Sequence, residues 1–344
     1  MQLGVYTFAD LIPDPKTGKI ISGTERMKNL IEEAVVADEV GLDVFGIGEH
    51  HREDFLISSP VVPLAAIAAK TKNIRLTSAV NVLSSDDPVR VYQDFAELDL
   101  ISEGRAEIMV GRGSFIESFP LFGYSLNDYD DLFEEKLNML LKIRDEEKVN
   151  WSGSHTQTIS GRGVYPRSAQ TPLPIWVAVG GNPPSVVRAA TLGLPLALAI
   201  IGGPPERFAP LIDLYKEAYK KHGHDPKNMK VSINSQGFIG EDAKQAAEDY
   251  WPYYETVMNQ IGKERGWPPI TKEGFEHSAG PDGSLLLGTP EQIAQKILNQ
   301  HKIFGQDRFL IQIDVGTMPH DKVLKAIKLL GKKVAPIVKA GLKS

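Results

Sequence analysis

Eight times along the 344 residues a short β-branched or aromatic run is followed by a longer stretch with helical spacing. No other feature narrows the fold so far. The strand-like runs are 2–8, 44–48, 75–83, 106–110, 175–179, 196–201, 230–239 and 309–315. The helical patterns between and after them are 24–40, 60–69, 88–100, 130–144, 185–192, 205–222, 242–258 and 321–340. In the first of these, Met27, Leu30, Ile31, Ala34 and Val35 recur at helical intervals, with Thr24 as N-cap and Gly41 at the left-handed C-terminal position. Alternation of this kind makes an α/β protein with a parallel sheet, because parallel neighbours need a crossover between them. Eight units suit a closed (β/α)8, TIM-type barrel, and closure leaves no exposed strand edge.

Length by itself gives a prior of roughly two domains. A barrel of this type runs from about 200 to over 400 residues, however, and no linker interrupts the chain, so one barrel domain over 1–344 is expected. Two segments exceed the usual connection length, 151–174 and 262–289. They are read as insertion loops at the C-terminal face. The second, with Gly274, Gly280 and Gly283 as hinges, is the expected mobile lid.

Composition sets the function classes aside. Hydrophobic residues make up 42% and charged residues 24%, enough apolar material for a large core. A net charge of −6 argues against a nucleic-acid partner. With no cysteine there are no disulfides, thiolate metal sites or cysteine nucleophiles. The longest apolar run, 194–201, is far below the ~20 residues that span a bilayer. The first residues lack a basic stretch followed by an apolar one. A cytoplasmic protein without a membrane partner is the expectation.

In a barrel the site is built where strands end, and three such places carry chemistry. Glu49-His50-His51 follows the second strand. Adjacent histidines on a continuing strand face opposite ways, so both do not readily hold one metal, although Glu49 and His51 could share a face. No metal is expected. One histidine at the pocket would serve acid–base chemistry or hydrogen bonding; the alternative is local capping or packing. Gly111-Arg112-Gly113-Ser114 follows the fourth strand: its glycines let a ligand approach backbone, and Arg112 offers a fork for phosphate. It is not a dinucleotide fingerprint, since Ile116 stands where a third glycine belongs. A tight turn with Arg112 on a surface carboxylate is the equal alternative. Gly180-Gly181-Asn182-Pro183-Pro184-Ser185 opens a helix after the fifth strand, either an anion site or a capped turn. The fourth and fifth strands are barrel neighbours, and together the two loops point to one phosphate.

Gly48 to His51, Asp86-Asp87-Pro88-Val89-Arg90, Leu98 through Arg105 to Gly113, Phe119-Pro120-Leu121-Phe122-Gly123 and Gly193-Leu194-Pro195 resemble the bacterial luciferase-like flavin monooxygenases over nearly the whole chain. The resemblance implies a barrel that binds FMN. Arg112 matches the family's phosphate arginine and Ser114 a residue whose backbone contacts the phosphate. Asn182 and Ser185 fall on phosphate-contacting positions, and Gly181 replaces an acidic residue of some members. Ala79-Val80 matches a non-prolyl cis peptide beneath the flavin ring, with Phe8, Val80 and Ile201 as the ring's walls. His50 matches the functional histidine. Light-emitting members carry a reactive cysteine where Gly111 stands, so no light emission is expected. The implied activity is oxidation of a small organic substrate by reduced FMN and molecular oxygen, with a separate flavin reductase and a homodimer as partners. Two alternatives are a deazaflavin-dependent hydride-transfer enzyme and a non-catalytic flavin-binding barrel.

Overall fold

The computed structural model describes residues 1–113 and 115–343. Eight strands, β1 to β8, are Gln2–Thr7, Val44–Ile47, Arg75–Ser78, Ala106–Gly111, Ile175–Val179, Leu196–Ile200, Val231–Ile239 and Arg308–Gln312. Each pairs in parallel with the next, and β8 returns to β1 with Arg308 opposite Gln2, so the ring closes. This is the expected (β/α)8 barrel.

The strand period of two divides the apolar residues between two cores. Phe45, Leu76, Ile108, Val177, Leu198 and Ile311 face outward and pack under the helices. Tyr6, Val44, Met109, Trp176, Ala197 and Leu310 form a smaller cluster inside the barrel. Close approach there demands glycine: a Cβ on Gly4 would lie 2.2 Å from Val44 O.

Several boundaries differ from the sequence expectation. The first helix, Gly23–Glu39, is capped by Ser22, whose hydroxyl accepts from Glu25 N at 3.1 Å; Thr24 lies inside it. Gly41 has the expected positive φ, +78°. The third strand run is two pieces, β3 and Asn81–Val82, the latter pairing with β4; the Ala79–Val80 peptide between them is cis. An antiparallel hairpin, Lys148–Trp151 with Ile159–Gly163, starts just before the segment 151–174 and takes up its first half.

The segment 262–289 is largely regular. The preceding helix runs Ala243–Arg265, seven residues past the expected end, because the apolar positions continue through Val257, Met258 and Ile261. A helix, Lys272–Ala279, and a strand, Leu286–Gly288, follow. Gly274 therefore sits within a helix, while Gly280 is the C-cap residue of that helix. A helix at Pro290–Phe304, absent from the sequence expectation, leads into β8.

Candidate active site

The C-terminal ends of the strands open into one cavity of about 400 Å³. Phe8, His50, Ala79, Val80, Arg112, Asn182, Ser185 and Ile201 all line it, which brings together eight of the residues singled out in the sequence. Gly181 does not line it, although Gly180 and Asn182 on either side do; its φ of +111° turns the chain there. Ser114 lies outside the described residues.

His50 stands at the exit of β2, buried among aromatic rings. It stacks on Phe55 at 4.2 Å between centroids and meets Phe8 and Phe115 edge-on. Its Nδ1 lies 3.2 Å from Glu117 Oε1. Burial pushes the Glu117 carboxyl up, but the hydrogen bonds to His50 and to the His51 N–H outweigh it and hold the group below the ordinary carboxylate range. An ionised carboxylate only accepts, so the His50 proton sits on Nδ1 and Nε2 is left as the basic nitrogen. Glu117, 67 residues downstream, carried no sequence signal of this role.

His51 turns the other way. Its Nε2 is 2.9 Å from Glu49 Oε1, and that contact raises the imidazole's pKa. Glu49 Oε2 accepts from Asn81 Nδ2 at 3.1 Å and Val82 N at 2.9 Å. Glu49 and His51 thus share a face as the spacing allowed, but they brace the Ala79–Val80 corner. Among the described residues no group of three or more metal-binding side chains converges.

Across the cavity, Arg112 extends over the Tyr129 ring and pairs with exposed Asp130. Asn182 is the N-cap of the helix Pro183–Thr191 and accepts from Ser185 N at 3.4 Å. Both bland readings, the surface ion pair and the capped turn, are therefore realised. A phosphate still fits. An exposed ion pair is worth about 0–1 kcal/mol and exchanges readily for a dianion. Among the described residues the Ser185 hydroxyl is buried without a partner at a helix N-terminus, and a Cβ on Gly180 would meet nothing within 4 Å. At Gly111 a Cβ would come within 2.8 Å of Val80 Cγ2, so this chain packs the wall with valine where a larger residue at 111 would stand.

The sequence reading missed the remaining walls. Asn234 and Gln236 on β7 and Gln312 on β8 form a polar floor, and Arg265 and Trp267 roof the opening. The floor had a signal: Ser232, Asn234 and Gln236 alternate along the strand, and side chains two apart point to the same side. Asp10 lines the cavity too; its Oδ2 accepts from Gly316 N, and it lies within electrostatic reach of a buried network in which Thr7 and Arg26 donate to Asp314 and Arg26 pairs with Glu33.

The model of the luciferase-like monooxygenase family matches residues 1–307. An alkanal monooxygenase alpha chain of Photorhabdus laumondii is 25% identical over 92% of this chain and 94% of its own. The oxygenating constituent of 3,6-diketocamphane monooxygenase from Pseudomonas putida, a type II Baeyer-Villiger enzyme solved with FMN, superposes with TM-score 0.78 at 20% identity, over 98% of both chains. The coenzyme F420-dependent tetrahydromethanopterin reductase of Methanopyrus kandleri does so with TM-score 0.72 at 17% identity, over 98% of this chain and 99% of its own. With its barrel closed and its cavity at the strand exits, this chain belongs to the luciferase-like monooxygenase family.

Proposed function

We propose that the chain is an FMN-dependent monooxygenase that oxidises a small organic substrate with reduced flavin and molecular oxygen. One observation carries the reading: a single cavity joins Arg112 and Ser185 at β4 and β5 to Val80 and His50 at β3 and β2. Bound FMN supplies the electron transfer and oxygen chemistry that no side chain here can.

The chain's own residues do the rest. Arg112 and Ser185 hold the phosphate, aided by the N-terminus of the helix after β5. Phe8, Ala79, Val80 and Ile201 wall the flat part of the slot. Glu117 fixes the ring of His50, whose Nε2 takes or returns a proton at the substrate. Arg265 and Trp267, with the connection at 266–271, shield the mouth from water, a shorter lid than 262–289. With no nicotinamide fingerprint in the chain, reduced flavin comes from a separate flavin reductase. Exposed apolar side chains at Val62, Leu100 and Ile101 support a homodimer, and the protein works in the cytoplasm.

The test is parallel titration with FMN and with coenzyme F420, followed by oxygen uptake in a substrate screen. The expectation is FMN binding with oxygen-dependent substrate loss. In His50→Ala, FMN affinity stays and turnover falls about 10²–10⁴-fold. Binding of F420 alone, or FMN binding without oxygen-dependent turnover, would sink the reading, and unchanged turnover in His50→Ala removes that residue from it.

A further inference from the structure

By strand order, β4 and β5 stand across the barrel from β8 and β1. If FMN's phosphate sits at the first pair, as proposed above, the opposite wall is left for the substrate. That wall is polar in a specific sense. Gln236 on β7 and Gln312 on β8 are register partners, and both line the cavity.

Their amides are ordered by a group that cannot reverse. Asp314 O is a backbone carbonyl and only accepts. Gln312 donates to it through Nε2 at 3.5 Å, which turns Gln312 Oε1 toward Gln236. Gln236 donates to that oxygen through its own Nε2, again at 3.5 Å. Flipping either amide sets like against like. The atom left over is therefore an oxygen, Gln236 Oε1, and it is buried with no donor among the described residues. Both hydrogen bonds are at the long limit, and the terminal torsion of glutamine is soft, so a small swing presents this oxygen to the cavity. Asp10 Oδ1, at the exit of β1, is a second buried oxygen on the same wall with no partner among the described residues. Phe55, Phe115, Val257 and Trp267 also line the cavity and make the rest of this region apolar.

We infer that the β7–β8–β1 wall reads the substrate, with Gln236 as a specificity-determining residue that selects an apolar compound carrying an N–H or O–H donor. This rests on the FMN reading for the location of the substrate, and the experiment separates the two.

The probes are 2-naphthamide and 2-acetonaphthone, which share the ring system and the carbonyl and differ in an NH₂ for a CH₃. Binding of each to the full chain saturated with FMN is measured by equilibrium dialysis, for wild type and Gln236→Met. Gln236→Leu serves as a second apolar variant, and circular dichroism checks that each is folded. The expected result is about tenfold tighter binding of the amide by wild type, one buried hydrogen bond. The preference disappears in Gln236→Met while FMN affinity is unchanged. Equal affinities in wild type, no binding of either probe, or a preference that survives the substitution overturns the inference. So does a tenfold loss of FMN affinity in the variant, which would make Gln236 a cofactor contact. Failure of wild type to bind FMN refutes the proposed function instead and is read directly from the saturation step.

Discussion

Asp10 is a carboxyl in surroundings that suit a neutral group. Burial, then the nearby charge of Asp314, push its pKa up to about 7; the Gly316 N–H and Arg26 offset this only in part, and Asp54 adds to it. A folded-state pKa raised above the unfolded value means the native state binds the extra proton between about pH 4 and 7. The stabilisation is complete below about 4 and is lost as pH rises through about 7. Asp10→Asn keeps an acceptor for Gly316 N and removes the titration. The expected outcome is a variant whose unfolding free energy gains on wild type as pH rises from about 4 to 7, reaching roughly 1–4 kcal/mol by pH 8, measured by urea unfolding. A difference flat across that range would show Asp10 ionised throughout. Neither this network nor the Glu117–His50 pair could be read from the chain, since Asp10 and Asp314 lie 304 positions apart and nothing local marks them as partners. His50 and Arg112 stood out because they follow strand ends, where the cavity lies, although the Arg112–Asp130 ion pair was an equal reading of the same residue.

The helix Pro290–Phe304 shows what local chemistry specifies even where pattern reading passes it by. Gln292 N donates to the Thr289 hydroxyl at 3.4 Å, and Thr289 N donates to Gln292 Oε1 at 2.9 Å, a reciprocal capping box with proline at the first helical position. Just before it, Gly288 has φ +142°, and a Cβ there would lie 2.3 Å from Gln292 Oε1. Thr289→Ala is expected to cost about 1 kcal/mol, read as a lower urea midpoint with unchanged flavin affinity. The start signal Thr-Pro-Glu-Gln and the stop at Gly305 were both in the sequence. The long loop assigned upstream hid them. By contrast the strand Leu286–Gly288 has only three residues and carries no period; its place beside Gly237 to Ile239 is set by the barrel alone.

At the scale of the whole molecule the two ends of the barrel do different work. The strand exits hold the cavity, while the entrances are locked by a buried ion pair: Glu107 on β4 with Arg308 on β8 at 2.5 Å, joined by Arg75 on β3 and Gln2 on β1. Trp176 on β5 covers the guanidinium at 4.3 Å. Five of the eight strands are thus tied by one cluster. Glu107→Ala leaves the Arg308 guanidinium buried without its carboxylate, and a loss of about 3–5 kcal/mol is expected by urea unfolding. The folded variant keeps wild-type FMN affinity, because the cluster lies at the opposite end from Arg112 and Ser185. Loss of flavin binding with little change in stability would reverse that division of labour.

The sequence by itself determined the barrel and the family, because period-two and period-3.6 patterns and the strand-end motifs are local properties that survive without coordinates. It also named most of the wall from Phe8 to Ile201. Which partner each distant group takes was decided only by closure of the ring. That closure set Glu117 against His50, Gln236 against Gln312 and Asp10 near Asp314, since these pairings join strands and loops that are distant along the chain. Hydrogen bonds and desolvation act over a few ångströms of space, and only the folded barrel determines which residues are that close.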